Sequence, residues 1–371
     1  MIKRLASILL VLMLTLTMLN GCAPHDPPTD TGNAPAPSAN LDSAVEPGSN
    51  GDHGFDSDPV STGGEPEVRL NIVCTVFPQY DWVHQILGDS ADGHELTLLL
   101  DNRVDLHSYH PSVDDIVRIS TCDLFVYVGG ESDGWVEDVL LNANNSDMIV
   151  IMLMDVLGDG VKMEEAVHGA DDGANNHDHH HHDEGGDEDE HDDEEDEHVW
   201  LSLNNAMIFC TAIADALSSL NADSADMYES NLASYIGQLS TLDAEYHAAL
   251  DDAPIRTLLF ADRFPFRYLL DDYGLSYFAA FPGCSAETEA SFSTIVFLAG
   301  KVNELNLHTV LVTESADQSI ADTVIDNTRE KNQQILVLDA MQSITRSDLQ
   351  NGATYLSIME SNLDVLKEAL R

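Results

Sequence analysis

Apolar positions in residues 68–371 alternate between two spacings. Short apolar, β-branched runs at 70–76, 95–100, 124–128 and 148–153 read as buried strands. The segments between them, 80–87, 111–120 and 135–141, carry helical spacing, with Pro111 suited to a first helical turn. A second series repeats the alternation, with strands at 257–261, 276–280, 309–313 and 335–338 and helices at 264–272, 292–305, 319–330 and 353–370. Strand–helix alternation argues for parallel sheets covered by helices. The expected architecture is therefore α/β, with one lobe over 68–222 and a second over 253–371. Between them, residues 224–250 contain no Pro and one Gly. Tyr228, Leu232, Tyr235, Leu239, Leu242, Tyr246 and Leu250 recur there at alternating four- and three-residue steps, which places them on one helix face. At 1.5 Å per residue this predicts a rigid helix roughly 40 Å long, within 223–252, joining the lobes. A dimeric coiled coil is the competing reading. It spans too few heptads and lacks e/g charge pairing, so a monomer is expected.

The N-terminus departs from both spacings. Two positive charges in residues 1–4 precede the apolar run 5–19, and Leu19-Asn20-Gly21-Cys22 follows. That layout predicts a secretory signal peptide over 1–22, because the run is short for a membrane span. Leu-x-Gly-Cys resembles a bacterial lipobox, which implies acylation of Cys22 and an extracytoplasmic chain anchored to the membrane. Residues 23–67, rich in Pro, Gly, Ser and Asp, read as a flexible tether. No later run is read as long enough to span a bilayer. Cys74, Cys122, Cys210 and Cys284 are too far apart for a C-x-x-C zinc site. Cys74 and Cys210 lie within apolar runs, as buried free thiols do, although an exported chain permits pairing.

Charge then narrows the chemistry. The formal net charge is -51, from 66 acidic and 15 basic residues. Nucleic acid is excluded as a partner, because phosphate binding needs clustered Lys and Arg, whereas cations are natural ones. Within 159–198, residues 171–198 read DDGANNHDHHHHDEGGDEDEHDDEEDEH. Such a segment cannot bury enough apolar surface to offset chain entropy, so it is expected to form a loop. Its imidazoles offer nitrogen donors near neutral pH and its carboxylates concentrate cations, which points to a divalent metal.

Two motifs make that expectation specific. Residues 99–112, LLDNRVDLHSYHPS, resemble the P-G-x-x-x-H-x-Y-x-P-S/T segment of the zinc- and manganese-binding solute-binding proteins of ABC transporters, the ZnuA-like family. His107, Tyr109, Pro111 and Ser112 match, while Asn102-Arg103 stands in place of the family's Pro-Gly. His198-Val199-Trp200-Leu201-Ser202 is similar to the family's D-P-H-x-W-L-S/D motif. Further similar stretches are Phe77-Pro78-Gln79-Tyr80, residues 121–127, Trp135 and residues 355–363, so the resemblance covers 68–371.

The resemblance implies a metal site in the cleft between the lobes, with His107 and His198 as ligands. At the third position the family carries His or Glu, whereas this chain reads Ala261-Asp262-Arg263-Phe264. Asp262 is the nearest oxygen donor, its competing roles being a helix cap or a pairing with Arg263. Glu314 matches the fourth ligand, with Asp317 as its substitute; His110, Cys284, Glu287 and Glu289 stand in reserve. Two imidazoles and two carboxylates cancel a dication's charge, and four N/O ligands suit tetrahedral zinc. Manganese requires expansion beyond four ligands. The implied function is a receptor that captures zinc, or alternatively manganese, and delivers it to a membrane ABC permease. An enzyme is not expected. A zinc hydrolase needs an open metal position and a general base, and no H-E-x-x-H is present. A surface adhesin or metal buffer is the remaining alternative.

Overall fold

Val73 and Phe125, side by side in the first sheet, have helices on both faces, which is why this strand region reads as a continuous apolar run. The computed structural model describes residues 68–164, 194–285 and 289–371. The signal peptide, lipobox and tether expected at 1–67, nearly all of the His/acid segment, and Glu287 lie outside those residues. Gly64–Arg371 form one unit.

Four parallel strands, β1 (Asn71–Cys74), β2 (Glu95–Leu98), β3 (Leu124–Tyr127) and β4 (Ile149–Met152), form a sheet in the order β2-β1-β3-β4. A second parallel sheet contains β5 (Thr257–Phe264), β6 (Ser276–Pro282), β7 (Thr309–Thr313) and β8 (Gln334–Leu338) in the order β6-β5-β7-β8. Each order reverses between its two central strands, and such a switch opens a crevice beyond the strands' carboxyl ends.

The helices are α1 (Phe77–Leu87), α2 (Val113–Thr121), α3 (Val136–Leu140), α4 (Leu153–Leu157), α5 (Leu203–Leu220), α6 (Ala225–Leu250), α7 (Arg267–Asp272), α8 (Phe292–Leu305), α9 (Ser319–Asp326), α10 (Arg346–Gln350) and α11 (Tyr355–Ala369). The expected joining helix is α6. Tyr228, Tyr235, Leu239, Leu242, Tyr246 and Leu250 of its apolar stripe are buried. Each such burial is worth about 1.5–3 kcal/mol against exposure. The helix packs against α1, α5 and α11. Polar bonds fix both ends: Asn231 Nδ2 donates to Ile86 O at 2.9 Å, and Tyr246 OH to Met359 O at 2.6 Å.

The helix expected over 319–330 ends at Asp326, and two larger expectations change. The strand read as 257–261 runs on to Phe264, because Pro265 disfavours the helical region for the residue before it and delays α7 to Arg267. And α5, absent from the sequence reading, is long and apolar enough to cross a membrane by length and composition. Its Leu203, Phe209, Cys210, Ile213 and Leu217 are buried in the core instead.

Candidate metal centre

Local capping interactions place the first imidazole. Ser112 caps α2 by accepting from Asp115 N, while Asp115 Oδ2 accepts from Ser112 N at 2.9 Å, a reciprocal box. The same Oδ2 accepts from Tyr109 OH at 3.0 Å, so the start of the helix anchors the chain two residues after His107. On the other side, Asp105 Oδ1 accepts from His107 N at 3.0 Å and caps the single turn Leu106–Ser108, whose Leu106 is buried. The Pro-Ser end of the motif is thus a positioning device for His107.

His198 sits at the mouth of a short turn, Val199–Leu201, which leads into the Ser202 cap of α5. Both its backbone N and its Nδ1 lie 2.9 Å from Asp196 Oδ1. Behind it, Trp200 Nε1 donates to Ala340 O at 3.0 Å, and Tyr355 OH donates to Trp200 O at 2.8 Å. These two bonds fix the His198 turn to the lobe that contains β8 and α11.

The Nε2 atoms of His107 and His198 face each other at 3.3 Å. Two nitrogens on one tetrahedral zinc, each at 2.0–2.1 Å, stand about 3.3 Å apart. The opposite nitrogen of each ring is already engaged. His107 Nδ1 lies 2.8 Å from Ser132 Oγ and 3.4 Å from Glu197 Oε2, and His198 Nδ1 faces Asp196. Oxygen partners on Nδ1 orient a ring and leave Nε2 for an ion. Glu197 is itself held by Ser132 N, which donates to its Oε1 at 2.8 Å. This close approach depends on Gly130, at φ 79°, where an added Cβ would lie 2.5 Å from Glu197 Oε1.

His198 is fully buried and His107 nearly so, with 12% of its side chain exposed. Burial, followed by the neighbouring His198, pulls the His107 imidazole down to about 4, so it is a neutral donor at physiological pH. Burial pushes the Asp105 carboxyl up, but the Arg263 guanidinium at 2.7 Å and the neighbouring His107 ring and N–H together outweigh it and hold the group below the usual carboxylate range. Arg263 belongs to β5, so this ion pair also crosses the cleft. A cavity of about 700 Å³, lined by His107, His110, Glu195, Glu197 and Cys284 among others, opens on one side, and a cavity of about 460 Å³ containing Asp262 on the other. The ends of the His/acid segment meet at the first of these, where Met163 and Glu195 form an antiparallel bridge.

Among the described residues, His107, His198 and Cys284 bring one ligand atom each to within 4.8 Å of one another. Asp262 and Glu314, expected as the third and fourth ligands, are not in that group. Asp262 lies inside β5 rather than after it, and its Oδ2 accepts from Thr313 N at 2.9 Å and from the Thr313 hydroxyl. It cross-links β5 to β7. Glu314 accepts from Ala340 N and Gln342 N, both at 2.9 Å, one on each carboxylate oxygen, and so holds the loop after β8. Asp317 bonds to Ser319 and His110 to Ser108. Cys284, held in reserve on its sequence position near the motifs, is the third member of the group with His107 and His198. Cys74, Cys122 and Cys210 are free thiols in the core.

The family described as zinc-uptake complex component A, periplasmic (ZnuA), matches residues 72–369. The zinc-binding lipoprotein AdcA of Streptococcus pneumoniae is 31% identical over 305 residues, which cover 81% of this chain and 56% of AdcA. This chain therefore spans little more than half the length of that relative. The high-affinity zinc uptake system protein ZnuA of Bacillus subtilis is 28% identical over 302 residues, 81% of this chain and 88% of its own. Among solved structures, the Zn(II)-bound ZnuA-like domain of Streptococcus pneumoniae AdcA aligns with a TM-score of 0.62 at 28% identity, covering 82% of this chain and 99% of that domain.

Proposed function

We propose, from the premise that this chain belongs to the ZnuA family of periplasmic zinc-uptake components, that it captures one zinc ion between its lobes and delivers it to an ABC permease. Zinc is the cargo, held at His107 and His198. The observation that carries this reading is the 3.3 Å separation of two Nε2 atoms whose partner nitrogens are both committed elsewhere. Two such nitrogens supply half of a tetrahedral shell. The names of the relatives, one of which is structurally zinc-bound, support the same cargo.

The protein acts outside the cytoplasm as a monomer tethered through a lipid on Cys22, and it performs no catalysis. The His/acid segment, whose base lies at the cavity shared by His107 and Glu195, gathers cations near the cleft. Asp262 and Glu314, engaged with Thr313 and with the loop after β8, act as struts of the cleft wall rather than as first donors to the ion.

The test separates the cleft from the segment. Glu164 N donates to Glu194 O at 2.7 Å, so an Asn-Gly turn replacing 165–193 closes the chain without moving the site. Calorimetric titration of that protein is expected to show one tight zinc ion, and His198→Ala to abolish it. Loss of all binding when only the segment is replaced would overturn the cleft assignment.

A further inference from the structure

Resting on the capture reading above, we infer that Cys284 is a ligand of the ion, and that the site holds its cargo through two imidazoles and one thiolate. The cargo is then a thiophilic dication of the zinc class, not manganese.

The first ground is distance. The sulfur of Cys284 lies within 4.8 Å of both histidine ligand atoms. With zinc–sulfur near 2.3 Å and zinc–nitrogen near 2.0–2.1 Å, a tetrahedral arrangement asks for a nitrogen–sulfur separation of about 3.5 Å. The imidazoles already stand at their final spacing, so loading requires only a short inward movement of the sulfur.

The second ground is how the backbone delivers that sulfur. Cys284 N donates to Glu164 Oε1 at 2.8 Å, which fixes the loop after β6 to the base of the His/acid segment. Gly283 makes the approach possible. A Cβ there would lie 2.9 Å from Phe264 O and 3.0 Å from His198 Cε1, too close for any larger residue without displacement. The chain therefore presses a glycine against one metal-facing imidazole and presents the next side chain to the same cavity as His107. Unlike Cys74, Cys122 and Cys210, which are fully buried, Cys284 is only partly enclosed.

The third ground is the occupation of the alternatives. Residues 261–263 offer no imidazole, Asp262 is bonded to Thr313, and both oxygens of Glu314 accept backbone N–H groups. The Cys284 sulfur, by contrast, meets a backbone group of Glu197, the residue next to His198, which holds it beside the two imidazoles.

On loading, the thiol proton leaves to solvent through the open cavity and the sulfur lone pair forms the bond to the ion, so a dication and a thiol give a metal thiolate and one proton. Soft thiolate selects zinc over manganese, which prefers carboxylate and water. Asp196 and Glu197, behind the two imidazoles, place negative charge next to the resulting cation.

Cobalt titration of the full chain in a Cys22→Ser background tests this. The His/acid segment has no cysteine, and the three core thiols are enclosed, so a near-ultraviolet thiolate-to-cobalt charge-transfer band reports Cys284 alone. The expected result is a band that saturates at one cobalt, disappears in Cys284→Ser, and is accompanied there by zinc binding weakened at least about 10-fold. Cys284→His should keep tight zinc binding without the band, which also shows that the loop still folds. Saturable cobalt binding that depends on His198 but shows no thiolate band, with Cys284→Ser matching the parent in zinc affinity, overturns the inference and leaves the capture reading standing. Binding that His198→Ala does not alter overturns both.

Discussion

At the scale of single residues, two carboxylates decide which nitrogen each imidazole presents. Asp196 lies 2.9 Å from His198 Nδ1, and Glu197 with Ser132 faces His107 Nδ1. Asp196→Asn keeps an acceptor but removes the charge, and it should weaken zinc binding about 10- to 100-fold in competition with a chromophoric chelator. A third carboxylate sets a pH response. Burial pushes Asp133 up to about 6, with Glu197 adding to the rise and N–H donors from Val128 and Gly129 at 3.0 Å opposing it. A raised carboxyl favours the neutral form in the fold. Its contribution is thus fully present below the ordinary carboxylate range near pH 4 and is lost as pH rises through 6. Two pK units correspond to about 3 kcal/mol. Asn at 133 still offers an oxygen to both N–H groups, so Asp133→Asn should gain about that much on the parent between pH 4 and 7 in urea midpoints. That His107 and His198 come together was legible in sequence because each sits among neighbours with structural jobs: Tyr109 and Ser112 for one, Trp200 and Ser202 for the other. Asp262 and Glu314 were read as ligands because carboxylates after strands suit a dication. Sequence does not display that backbone N–H groups reach them first.

At the scale of elements, strands were the easiest to read, since seven of the eight sit within a residue or two of the apolar runs. The eighth, β5, overran its expected end because alternation fades at Asp262-Arg263 while the ladder with β6 resumes after a register shift. The helix α5 was missed for the opposite reason. Its residues are apolar on more than one face, with Ile208 exposed and Phe209 buried, so no single stripe marks the period. In α6 the stripe is unmistakable, and one residue works against it. Gly237 lies exposed mid-helix, and a Cβ added there meets nothing within 4 Å. Gly237→Ala should therefore stabilise the protein by about 0.5–1 kcal/mol, seen as a higher urea midpoint with unchanged slope.

At the scale of the whole molecule, the two sheets were foreseen as separate lobes, and two sheets are present. What the pattern of residues did not disclose is how far they share an interior. Trp82 packs edge-on to Tyr355 at 5.2 Å, and Asp81 accepts from Tyr355 N at 2.9 Å, so α1 and α11, from opposite ends of the described chain, touch directly. One apolar cluster runs from Val73 and Phe125 through Trp200 and Tyr246 to Phe260, Leu338 and Leu363. Long-range packing of this kind leaves no mark on local periodicity, which reports only the face that a segment buries. Because that cluster is common property, neither half is a self-sufficient fragment. A protease cut in α6, or a recombination event that transplanted one sheet without the other, would strand aromatic surface in water, so the ability to hold an ion is inherited entire or not at all.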